Sequence, residues 1–197
     1  IRSSSVCRRG KLEKNMGNSS IVELLDAYPI PEEKEIPQYK IYCDMDGVLT
    51  DFQSRFEHFS GMSPKEYENK HNTAAFWNLI DVEVGIRFWS DMNWMPQGQK
   101  LWEFIESYNP ELLTSPSKDN NSRLGKKLWV KNNLTPLPNV IFSYSEDKQR
   151  YANANAILID DKKSNINEWA AKGGIAIRCK DGNVDHVIEK LKQLGYE

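Results

Sequence analysis

The chain has 197 residues, a formal net charge of −2, 39% hydrophobic and 11% aromatic residues. That is enough apolar surface for one folded domain, and it excludes wholesale disorder. No apolar run reaches the roughly 20 residues of a membrane span, and the near-neutral charge gives no global field towards nucleic acid or anionic lipid.

Residues 1–17 are basic and Ser-rich without an apolar stretch, unlike a secretory signal. They read as a terminal arm, although Arg2, Arg8 and Arg9 beside Ser3–Ser5 faintly resemble an organelle transit segment. Residues 21–28 suit a short helix. Pro29, Pro31 and Pro37, interleaved with Glu32, Glu33 and Glu35, then read as a linker. The expectation is an arm and linker over 1–39 and a folded domain over 40–197.

Within that domain, residues 41–43 are apolar and β-prone and run into acidic residues and Gly47, as a buried strand entering a functional loop does. Helices are predicted over 52–59 and 64–70, followed by an aromatic-rich segment over 76–94. Leu101, Phe104, Ile105 and Tyr108 fall at i, i+3, i+4 and i+7, the spacing of an amphipathic helix. Next come a strand over 111–114, a helix marked by Leu124, Leu128 and Leu134, and strands over 140–143 and 156–159. A helix over 166–171, a strand over 175–178 and a helix through Val184, Val187, Ile188, Leu191 and Leu194 complete the chain. This alternation predicts an α/β fold: a Rossmann-like parallel sheet flanked by helices, with right-handed crossovers. Residues 52–95 interrupt it after the first strand. They are expected to form a small, mainly helical cap on a core of 40–51 and 96–197.

Cys7, Cys43 and Cys179 are scattered and form no disulfide framework. This points to a reducing, cytoplasmic setting, with organelle targeting left open. His58, His71 and His186 lack the i, i+4 pairing of a zinc helix.

In a parallel α/β sheet, ligands bind outside the carboxyl ends of the strands. Three polar groups stand at such ends: Asp44-Met45-Asp46-Gly47, Thr114-Ser115 and Asp160-Asp161, with Lys148 ahead of the last strand. Converging carboxylates repel one another and suit a hard cation such as Mg²⁺. One carboxylate can attack a phosphoryl group, and a second can act as acid and then base. Hydroxyls and an ammonium would hold the phosphate oxygens. Each element has a plain alternative when taken singly. DxDG is a common loop, though not an EF-hand loop here. Thr-Ser caps turns, Asp-Asp is solvated, and Lys148 would be a surface charge. Their common placement beside apolar strands favours the chemical reading.

The run Asp44-Met-Asp-Gly-Val-Leu-Thr-Asp51, with Leu112-Leu-Thr-Ser115, Lys148 and Ile157-Leu-Ile-Asp-Asp161, resembles the four motifs of the haloacid dehalogenase-like phosphohydrolases. Asp44–Phe52 (DMDGVLTDF), Thr114-Ser-Pro116, Lys127-Leu-Trp-Val-Lys131 and Phe76-Trp77 are most similar to the 5'(3')-deoxyribonucleotidases. The resemblance implies Asp44 as nucleophile and metal ligand. It makes Asp46 the general acid/base, which also gives the metal its carbonyl. Asp161 would bind the metal directly with Asp160 beside it. Thr114, Ser115, Lys148 and Lys127 would bind phosphate, and Phe52, Phe76 and Trp77 would line a nucleoside pocket. Mg²⁺ is the implied cofactor and a small nucleotide the implied partner, with no membrane. A homodimer stays open. Nucleic-acid 3'-phosphate ends or another small phosphoester are the alternative substrates, and a binding module without turnover is the non-enzymatic one. For Phe88, Trp89 and Trp94 the plain reading is a small cap core.

Overall fold

The computed structural model describes residues 39–197; the arm, the helix over 21–28 and the Pro-rich linker lie outside the described residues. Five strands, β1 (Lys40–Cys43), β2 (Glu111–Thr114), β3 (Val140–Phe142), β4 (Ala156–Asp160) and β5 (Ile175–Arg178), form one parallel sheet in the order β3-β2-β1-β4-β5. This is the predicted α/β architecture. β4 is buried along its whole length, as a continuous apolar run in the middle of a covered sheet must be.

Eight α-helices occur among the described residues: α1 (Phe52–Ser60), α2 (Pro64–His71), α3 (Thr73–Asn78), α4 (Ile86–Ser90), α5 (Gly98–Ile105), α6 (Asn120–Asn133), α7 (Lys163–Ala171) and α8 (Val184–Gln193). Successive residues of β4 point to opposite faces. Ile157 and Ile159 join the large core with Leu101 and Ile105 of α5 and Val187 and Leu191 of α8. Leu158 and Ala156 pack with Leu113 under Trp169 of α7.

The segment between β1 and α5 holds no strand. The predicted aromatic stretch over 76–94 is broken into α3, a π-helical turn (Leu79–Val84) and α4, with Gly85 (φ 66°) between the last two. Local capping explains the short pieces. Asp51 accepts from Ser54 N, Ser63 and Glu66 form a capping box with Pro64 at the first position, and Asn72 accepts from Ala75 N. The two passages between this segment and the sheet run side by side: Asp51 N donates to Asn93 O at 2.9 Å and Met95 N to Leu49 O at 2.8 Å.

Helix α6 fastens the segment to the core. Trp129 Nε1 donates to Met92 O at 2.8 Å. At Gly125, α6 and α4 approach so closely that a Cβ would lie 2.5 Å from Trp89 Cβ and 2.6 Å from Ile86 O. A helical glycine ordinarily costs about 1 kcal/mol relative to alanine, yet here contact leaves no room for a methyl group. Gly125→Ala is therefore expected to destabilise the fold by about 1–3 kcal/mol, lowering the thermal midpoint by roughly 2–10 °C. A calorimetric scan showing an unchanged or raised midpoint would contradict this packing.

Candidate active site

The register of the sheet builds the site. Cys43 of β1 pairs with Ile159 of β4, so the next residues, Asp44 and Asp160, stand side by side at the carboxyl ends. Thr114 ends β2, the neighbour on the other side. The carboxylates of Asp44, Asp160 and Asp161 each place an oxygen within 4.8 Å of the others.

Lys148 makes this crowd tolerable. It lies on a 3-10 segment (Ser145–Tyr151), is almost wholly buried, and places its Nζ 2.8 Å from Asp44 Oδ2 and 2.8 Å from Asp160 Oδ2. Burial alone would push its ammonium down, but Asp44 and Asp160 outweigh that and hold it above the ordinary lysine range. Asp160 is fully engaged. Its Oδ2 also accepts from Asn165 Nδ2 at 2.9 Å, and its Oδ1 accepts from Lys162 N at 2.8 Å. Burial, then Asp44, pushes the Asp160 carboxyl up.

Asp161 differs. Among the described residues no other side chain hydrogen-bonds its carboxylate, which lies over Gly47; a Cβ at Gly47 would meet Asp161 Oδ2 at 2.7 Å. Gly47 also has φ 78°, a left-handed backbone that excludes most side chains. Burial, then Asp44 and Asp160, pushes the Asp161 carboxyl up to about 7. An all-oxygen donor set with one carboxylate unengaged and crowded by two others fits a hard divalent cation.

Asp46 lies apart from this trio. Its Oδ1 accepts from Thr50 Oγ1 at 3.0 Å, and its Oδ2 accepts from Lys126 Nζ at 2.6 Å. The same Nζ donates to Thr114 Oγ1 at 2.7 Å. The sequence reading placed Lys127 here. The structure instead buries Lys126 and leaves Lys127 exposed, its Nζ 5.8 Å from the Phe142 ring centre.

A cavity of about 950 Å³ opens over these groups, lined by Asp44, Asp46, Asp161 and Ser115 below and by Phe52, Trp77 and Trp89 above. Phe76 is not among its lining residues. It is buried in the aromatic cluster of residues 52–95, stacked on Phe56 with ring centres 4.7 Å apart. Trp77, the next residue, keeps 39% of its surface exposed. The structure thus brings Asp44, Asp46, Ser115, Asp161, Phe52 and Trp77 to the cavity wall, sets Thr114, Lys148 and Asp160 buried behind it, and places Lys127 and Phe76 elsewhere. Phe88 is fully buried, Trp94 packs edge-on against Trp129 at 4.8 Å, and Trp89 is buried yet lines the cavity. No helix among the described residues is long and apolar enough to cross a membrane.

The Asp161 carboxyl supplies a pH test. Held above its unfolded value near 4, it favours the folded state fully below that value and loses the contribution as pH rises through about 7. In chelator, the unfolding midpoint should therefore fall between about pH 4 and 7, and fall less in Asp161→Asn. Equal slopes in the two proteins would exclude Asp161 as the titrating group.

No protein-family model matches the chain, and no curated protein matches it. Solved structures of similar topology include a phosphonoacetaldehyde hydrolase-like protein from Oleispira antarctica (10% identity, 72% of each chain covered, TM-score 0.46). Another is a HAD family enzyme from Bacteroides thetaiotaomicron in a magnesium complex (17% identity, 77% of this chain and 98% of that one, TM-score 0.46). A third is a HAD family hydrolase from Deinococcus radiodurans with bound phosphate and sodium (12% identity, 72% of this chain and 80% of that one, TM-score 0.43). Similarity at this level carries no assignment of chemistry.

Proposed function

We propose that this protein is a Mg²⁺-dependent phosphatase that releases phosphate from nucleoside monophosphates, deoxynucleotides foremost, through a phosphoryl group carried on Asp44. The observation that carries the reading is one carboxylate, Asp44, held by Lys148 beneath an open cavity, with a second carboxylate two residues on that is held separately by Thr50 and Lys126.

Asp44 Oδ1 accepts from Met45 N at 2.8 Å and Oδ2 lies 2.8 Å from Lys148 Nζ, which fixes the carboxylate plane; each oxygen keeps a lone pair, and one of them would attack phosphorus. Its attack forms the acyl-phosphate bond and breaks the bond from phosphorus to the leaving oxygen. Asp46 would pass a proton to the leaving oxygen and take one from the water that opens the acyl phosphate. Lys148, Thr114 and Ser115 hold phosphate oxygens as charge moves between them. Asp44, Asp161 and the Asp46 carbonyl would hold Mg²⁺, with Asp160 fixing the loop beneath. The cation when bound would neutralise charge between Asp44 and the phosphate. Phe52 and Trp77 would stack the base, and Trp89 would back that wall.

Asp44→Asn should retain the fold and lose at least about 99% of phosphate release, because an amide cannot serve as the attacking group. Phosphate release should require Mg²⁺, and Ca²⁺ should substitute poorly, since its larger coordination shell would engage both oxygens of Asp44. A colorimetric phosphate assay reads both outcomes; full activity in excess chelator would overturn the assignment. Stacking is worth roughly 1–3 kcal/mol per base, so Trp77→Ala should reduce kcat/KM for a nucleotide about 5- to 150-fold. The same variant should leave a small aryl phosphate almost unaffected. Unchanged nucleotide values would remove the stacking pocket, and better turnover of a 3'-phosphorylated oligonucleotide would favour nucleic-acid ends.

A further inference from the structure

The β5 end of the cavity holds cationic groups that cleavage of a monophosphate leaves without a task. Arg178 pairs in register with Asp160, on the side opposite Asp44. With strands about 4.8 Å apart, the backbone of Arg178 lies roughly 10 Å from that of Asp44, and Arg178 lines the cavity. Its Nε donates to the Asp161 carbonyl oxygen at 2.9 Å, which fixes the guanidinium beside the Asp160-Asp161 loop. Its terminal nitrogens have no hydrogen-bond partner among the described residues, and the residue is half-buried. Lys162 and Lys163 line the same end, Lys162 with its Nζ 2.9 Å from Ser145 Oγ. Among the described residues, no carboxylate lies within 4.0 Å of any of these three cations. Glu146 and Asp181 also line this end, but both are exposed, and Asp181 lies 3.8 Å from Lys180. Neither offsets the half-buried guanidinium.

We propose that this end of the cavity is a second anion subsite, and that the substrate is a nucleotide with two separate phosphate groups. One phosphate would lie at Asp44 and react; the other would lie unreacted against Arg178, with Lys162 and Lys163 at its rim. The proposal rests on the reading of Asp44 as phosphoryl acceptor. Guanidinium presents a planar fork that matches a phosphate's oxygens. The cavity, about 950 Å³, stands near the upper end of the roughly 300–1,000 Å³ usual for small-molecule sites.

The test compares thymidine 5'-monophosphate, 3'-monophosphate and 3',5'-bisphosphate, by kcat/KM in the intact protein and by calorimetric binding to Asp44→Asn. The bisphosphate should exceed the better monophosphate about tenfold at low salt, and the advantage should shrink as salt screens the exposed lysines. Arg178→Gln should abolish most of that ratio. Lys162→Gln with Lys163→Gln, both exposed side chains, should reduce it while leaving the bond from Arg178 to the Asp161 carbonyl in place. Equal binding of mono- and bisphosphate, or a ratio that survives both variants, overturns the subsite. A ratio that holds in binding while no substrate is hydrolysed supports the subsite and removes the reaction. Preference for a 3'-phosphorylated dinucleotide over the bisphosphate overturns the small-molecule assignment in favour of a nucleic-acid end.

Discussion

The contact on which the rest of the site depends is the one between Lys148 and the two carboxylates of Asp44 and Asp160, each 2.8 Å from its Nζ. Three aspartates at the ends of two adjacent strands would repel one another in a medium that screens charge poorly. A buried ammonium between two of them removes most of that cost, and its position obliges other parts of the chain to comply. The 3-10 segment must carry Lys148 inward. Asn165 and the Lys162 amide must satisfy what remains of Asp160. Asp161, left over, carries the residual strain as a carboxyl pushed up to about 7. The glycine at 47 follows from the same crowding, because Asp161 occupies the space a side chain there would need.

Much of this was legible in the sequence because the sheet is buried on both faces. Buried parallel strands read as short apolar runs, and polar residues directly after such runs fall at the carboxyl edge. Asp44, Thr114 and Asp160-Asp161 could therefore be placed together before any coordinates. Lys148 is different in kind. Its neighbours Glu146, Asp147 and Arg150 are all polar, and nothing in local composition separates it from a surface lysine. Its place ahead of an apolar strand made it a candidate, and the resemblance to a known motif order gave it a role.

Helix phase accounts for what the sequence reading missed. Leu124, Leu128 and Leu134 mark this helix in the sequence; Leu134, at its C-terminal cap, is buried, yet Leu124 and Leu128 keep 53% and 41% of their surface exposed. The face that is buried runs through Ser122, Gly125, Lys126, Trp129 and Val130. Those positions follow helical spacing as well as the leucines do, and Trp129 was the signal that could have decided between the two phases. Phasing on Trp129 selects Lys126 rather than Lys127. The same geometry separates Phe76 from Trp77. Neighbours on a helix point about 100° apart, so one faces the aromatic cluster while the other borders the cavity. A pair read as one feature in sequence is divided by the turn that carries it.

The two buried lysines have unlike positions, and this bears on how an anion would be received. Lys148 bridges Asp44 and Asp160, so its charge is already matched by a permanent pair. Lys126 bonds one carboxylate oxygen, of Asp46, and one neutral hydroxyl, of Thr114. An ammonium has three donors, and two are used here. The same Nζ lies 5.1 Å from the centre of the Trp89 ring, in the wall of the cavity. In the proposed reaction, a phosphate arriving beside Asp44 would meet polar groups already oriented by the protein, whose desolvation is part of the folding free energy rather than of binding. The acid that would protonate the leaving oxygen is tied to the same lysine. In the proposed reaction, arrival of the phosphate and placement of Asp46 would be coupled through a single buried side chain.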